Sequence, residues 1–125
     1  MNKTQTIAVQ TESDIFTARM QVRELARAIG FDLTNQARVA QATSSLARAL
    51  RLGKTQQGQV VIDCLNRDEC LRVRVACTTA NNIDFKAGTR AFRDVQWLVD
   101  ELAIEELTPD RIRVTFCFDT KIRQM

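Results

Sequence analysis

The sequence predicts an α+β fold: a two-layer sandwich in which an antiparallel or mixed sheet carries helices on one face. Three observations predict it. Two long stretches in the first half place apolar residues on a helical stripe. Three later stretches alternate apolar and polar residues by twos, as half-buried strands do. The 125 residues, 45% of them apolar and 26% charged, suffice for one domain with one core.

Each element follows from its local pattern. A first strand is expected over "TIAVQ", residues 6–10. The stretch from Thr11 to Phe31 opens on Thr11-x-x-Asp14, a capping-box spacing, and carries Ile15, Ala18, Val22, Leu25, Ala26 and Ile29 on one stripe. Gly30 ends this helix, because glycine adopts the left-handed conformation that helix C-termini use. A second helix is expected with Thr34 as N-cap, a core stripe of Val39, Thr43, Leu46 and Leu50, and Gly53 as its close.

A hairpin follows: "QVVIDCLN" and "CLRVRVACT" joined by a polar turn at Arg67-Asp68-Glu69. Leu71, Val73, Val75 and Cys77 share one face of its second strand, and Arg72 and Arg74 the other. After an irregular stretch, "TRAFRDVQWLVDEL" reads as a third helix with Phe92, Val95, Leu98, Val99 and Leu102 inward. The remainder gives two strands meeting at Thr108-Pro109-Asp110. In the last of them, Ile112, Val114, Phe116 and Phe118 oppose Arg111, Arg113, Thr115 and Cys117.

The order is therefore β-α-α-β-β-α-β-β, with Arg72, Arg74, Arg111 and Arg113 on the open sheet face. Two roles are open to these arginines: a solvated face held by cross-strand acids such as Asp63, or a surface that binds a partner.

Composition excludes several chemistries. There is no histidine, which removes the usual general base and any Ser-His or Cys-His nucleophile pair. Cys64, Cys70, Cys77 and Cys117 lack C-x-x-C spacing and read as buried structural thiols rather than metal ligands or disulfides. A net charge of +3 is too small for the footprint of a nucleic-acid binder. The sheet arginines also lack exposed aromatics for stacking bases, since Phe116 and Phe118 lie on the opposite face. No apolar run reaches the length of a membrane span and no secretory signal opens the chain, so a cytoplasmic location is expected.

The element order, with "SDIFTAR", "RELARAIGF", "QARVAQATSSLAR" and "VQWLVDELAI", resembles the serine-kinase branch of the GHKL (Bergerat-fold) ATPases. The likeness is to the small RsbT-type switch kinases and anti-sigma factors of bacterial stress signalling, and it spans nearly the whole chain. The resemblance implies an ATP site, and each part of that site is altered here. The family's second helix carries a Glu for the attacking hydroxyl and, four residues on, an Asn that ligates magnesium. The matching positions are Ser45 and Ala49. The family's Asp-x-Gly-x-Gly box, whose carboxylate reads the adenine, is matched by "CTTAN", with Cys77, Thr79 and Asn81 at the key positions. Its long glycine-rich lid shrinks to "TTANNIDFKAGT".

The resemblance thus implies a degenerate, non-catalytic module in a partner-switching pathway, with no bound cofactor. Its partner would be a STAS-domain antagonist, a sigma factor or a regulatory phosphatase, and a homodimer is compatible with the family. The alternative is a divergent but active ATP- and magnesium-dependent serine/threonine-protein kinase. That alternative needs replacement ligands, for which Asp84 and Asp100 (metal) and Lys86 and Arg90 (phosphate) are the candidates.

Overall fold

A computed structural model of the chain describes residues 2–67, 70–81 and 85–121. It shows β1 (Asn2–Val9), α1 (Glu12–Ile29), α2 (Leu33–Ala49), β2 (Gly58–Arg67), β3 (Cys70–Ala80), α3 (Phe85–Leu98), β4 (Glu101–Thr108) and β5 (Arg111–Lys121). The five strands form one sheet in the order β1-β2-β3-β5-β4, and every neighbouring pair is antiparallel. The helices lie on one face only. Val60, Ile62, Val73, Val75, Val114 and Phe116 point toward them and are fully buried.

α1 follows its sequence signals closely. The Asp14 carboxylate accepts hydrogen bonds from the backbone N–H groups of Gln10 (2.9 Å) and Thr11 (3.0 Å), which fixes where the helix begins. Those bonds favour the charged form and lower the Asp14 pKa. Gly30 closes the helix at φ 115°. Ile15, Ala18, Val22, Ala26 and Ile29 are buried along the expected stripe, and Leu25 packs at its edge.

α2 begins earlier than expected. Its N-cap is Asp32, whose carboxylate accepts from the Asn35 N–H at 2.8 Å, and Thr34 is an exposed residue inside the first turn. Two cap-forming residues stand close together here, and the carboxylate wins because it also complements the positive end of the helix dipole. Val39, Thr43, Leu46 and Leu50 are all fully buried. The Thr43 hydroxyl donates to the Val39 carbonyl at 2.8 Å, so its burial leaves no group unpaired. The helix closes at Leu50 rather than Gly53, and Gly53 instead shapes the turn beyond.

β1 is longer than expected and starts at Asn2 instead of Thr6. Its polar first half is carried by ladder pairing, from Asn2 opposite Leu65 to Val9 opposite Gly58. The hairpin pairs as expected, although Asp68 and Glu69 of its turn lie outside the described residues. α3 is displaced toward the N-terminus: it spans Phe85–Leu98 rather than residues 89–102. Leu102 consequently belongs to β4 and is only partly buried. The helix gives way where Asp100 is captured by β5. The Asp100 N–H donates to the Cys117 carbonyl (3.0 Å), and its carboxylate accepts from the Asp119 N–H (2.7 Å). Sheet pairing thereby overrides the helical pattern of "VDEL".

Candidate functional site

The five positions that the sequence resemblance would align with an ATP site lie on α2 and at the end of β3. Ser45 is partly exposed and its hydroxyl accepts from the Gln41 side chain (3.2 Å), one turn earlier on the same helix. Ala49 packs against the core at its rim. Cys77 is fully buried between Val60 and Val114, and burial pushes its thiol up to about 12. Desolvation of this kind favours the neutral thiol, as in a cysteine packed in a core. Cys64, also buried, is pushed up to about 11, again chiefly by desolvation. All four cysteines are free; Cys70 and Cys117 are partly exposed.

Thr79 and Asn81 are occupied by the fold itself. The Thr79 hydroxyl lies 2.9 Å from both the Gln56 side-chain oxygen and the Gln57 carbonyl, and donates toward them. Asn81 is tied to the β4–β5 turn twice: its backbone N–H to the Asp110 carbonyl (2.8 Å), its amide to the Pro109 carbonyl (3.2 Å). Among the described residues, no buried side-chain polar atom lacks a hydrogen-bond partner. The polar groups here satisfy one another within the fold. Asp100, a candidate metal ligand, accepts from the β5 backbone as described above. Asp84 and the side chains of Lys86 and Arg90 lie outside the described residues. Among the described residues, no group of three or more His, Cys, Asp or Glu is arranged to hold a metal ion.

The open sheet face carries the four arginines together, as their alternation requires. Three of them face a carboxylate on the strand opposite. Arg72 binds Asp119 through two bonds (2.6 and 3.0 Å), Arg74 meets Asp63 (3.2 Å), and Arg113 meets Glu105 (2.7 Å). Each pair joins residues in direct register. Asp63 also accepts from the Thr4 hydroxyl (2.7 Å), so a polar row crosses β1, β2 and β3. Arg111 lies opposite Ala80 and Thr108 and has no carboxylate across from it. Between the pairs lies a shallow concavity of about 390 Å³ floored by Val61, Ala76, Thr78 and Thr115. These pairs are well exposed, so each is worth only about 0–1 kcal/mol.

A second concavity was not anticipated from the sequence. It lies where α1 meets the turn after α2, holds about 280 Å³, and is lined by Arg19, Arg48, Arg51 and Lys54 around Ile15, Phe16 and Leu52. The turn is set by backbone geometry. Arg51 and Gly53 both adopt positive φ (57° and 79°), and Leu52 is drawn into the core. Gly53 is pressed against α1: a Cβ there would lie 2.6 Å from the backbone of Thr11. Each of these arginines reads in isolation as an ordinary solvated charge. Only the approach of the turn to α1 assembles them, which no periodicity records.

The chain matches no protein-family model and no curated protein sequence. No helix among the described residues is long and apolar enough to cross a membrane.

Proposed function

We propose that this chain is a non-catalytic protein-interaction module of a bacterial partner-switching pathway, built on a GHKL-like scaffold without nucleotide chemistry. It acts in the cytoplasm on a protein partner such as a STAS-domain antagonist, a sigma factor or a regulatory phosphatase. One observation carries the reading. The positions where the resembling family reads adenine and magnesium hold Ser45, Ala49, Cys77, Thr79 and Asn81, and the last three are buried or bonded within the fold. The element order β-α-α-β-β-α-β-β and the helices on a single face agree with the family resemblance. What such a scaffold keeps is surface, and surface is what a binding module needs.

The test is thermal unfolding with and without ATP or ADP plus magnesium. A ligand present at a hundred times its Kd stabilises a fold by about 2.7 kcal/mol, a shift of several degrees. No shift at millimolar nucleotide is expected. A magnesium-dependent shift would overturn the reading in favour of a divergent kinase.

A further inference from the structure

We infer that the cleft between α1 and the turn after α2 docks an acidic segment of a protein partner, which lays an apolar side chain against Phe16. The inference rests on the binding-module reading and assigns it a surface.

The first support is charge. Among the described residues, four cations line the cleft and one carboxylate, Glu12, joins them. Glu12 pairs with Lys54 at 3.3 Å. Among the described residues, Arg19, Arg48 and Arg51 take part in no ion pair. On the sheet face, by contrast, three of the four arginines are paired internally. Paired arginines must be stripped from their carboxylates before they can serve a partner, whereas unpaired ones are ready to accept carboxylates bidentately.

The second support is the apolar content. Phe16 is 65% exposed and lines the cleft, and Met20, one turn along α1, is 46% exposed. Phenylalanine, methionine and arginine together are the residues enriched at protein interfaces. A free anion would use the cations and leave Phe16 idle. A segment bearing both acids and an apolar anchor uses both.

The third support is rigidity. Arg51 and Lys54 flank a turn held by the contact of Gly53 with α1 and by the burial of Leu52. The Gly53 N–H donates to the Gln56 carbonyl (2.8 Å), and the Gln56 N–H donates to Arg51 (3.2 Å). The cations are therefore presented on a fixed frame, which lowers the ordering cost of binding.

The probe is a short, fluorescently labelled synthetic peptide of glutamates flanking one leucine, read by anisotropy against the full chain. Wild type is expected to bind it, more weakly as salt rises, and to bind the same peptide less well when serine replaces the leucine. Arg48→Glu with Arg51→Glu is expected to weaken binding about tenfold or more. Arg48→Gln with Arg51→Gln provides a neutral version should the reversal perturb folding, which unfolding curves of each variant report. Phe16→Ala is expected to erase the difference between the leucine and serine peptides, and Arg72→Glu to change nothing. Absence of peptide binding, or binding that ignores both cleft variants, overturns the inference. So does tighter binding of a single-stranded oligonucleotide or of pyrophosphate at the same arginines, which would make the cleft a phosphate site. Magnesium-ATP run alongside separates the two ideas. A nucleotide response sinks the non-catalytic reading and leaves the peptide result standing, while peptide failure without a nucleotide response sinks the cleft alone.

Discussion

Cys77 shows what a single residue decides. Its place on the inward face of β3 was legible from alternation alone, and the structure gives it no exposed surface. What alternation does not reveal is whether the space around such a residue is a wet pocket or a packed core. Neighbours Val60 and Val114 in register make it a core. Cys77→Asp, which puts a carboxylate where the proposed resemblance would place an adenine-reading acid, is therefore expected to destabilise the fold by several kcal/mol at neutral pH without conferring ATP binding. The sign with pH follows from the same desolvation. Burial raises the folded-state pKa of the new acid above its unfolded value of about 4, so the penalty grows as pH rises through that value and shrinks as pH falls toward it. Denaturant unfolding at a series of pH values reads both effects. A stable variant at neutral pH with a magnesium-ATP shift would mean that the cavity persists.

At the scale of elements, legibility tracked how local the determinants were. α1 is specified by residues within one turn of each end: Thr11 with Asp14 at the start, Gly30 at the close. The start of α2 was misplaced because Asp32 and Thr34 both carry cap-forming side chains, and only the bond from Asn35 distinguishes them. The α3 boundary failed for a non-local reason, the capture of Asp100 by β5 across 19 residues of sequence. The turn after α2 is a further non-local case, and Gly53 tests it. Gly53→Ala meets both a positive φ and a Cβ 2.6 Å from the Thr11 carbonyl, so it should cost about 1–3 kcal/mol. Because the turn carries Arg51 and Lys54, the variant should also weaken acidic-peptide binding, even at temperatures where it remains folded. A melting temperature equal to wild type would show that the turn can move away from α1, and the rigid frame of the cleft would be lost as an argument.

Taken as a whole, the molecule presents two charged surfaces of opposite character. Three of the four arginines on the sheet face are neutralised in register, with Arg72 facing Asp119, Arg74 facing Asp63 and Arg113 facing Glu105. The sequence places all four arginines on this face and offers Asp63 as a cross-strand acid, which Arg74 meets, but Asp119 opposite Arg72 is not legible because it depends on β5 lying beside β3 in the order β1-β2-β3-β5-β4. The cleft side is left unbalanced. If partner contact follows unpaired charge, Arg72→Glu with Arg113→Glu should leave acidic-peptide binding and the sedimentation of the free protein unchanged. Its cost should appear in stability alone. Each substitution replaces an exposed pair by like charges, so the loss should be about 1–2 kcal/mol in total and should shrink as salt screens the repulsion. Sedimentation and binding measured on the folded variant decide the matter. A wild-type dimer that dissociates on this double reversal would make the sheet face an interface between copies, with the arginines of each copy reaching the carboxylates of the other. Unchanged sedimentation with intact binding would leave a solvated face on which Arg72, Arg74 and Arg113 are satisfied within one chain.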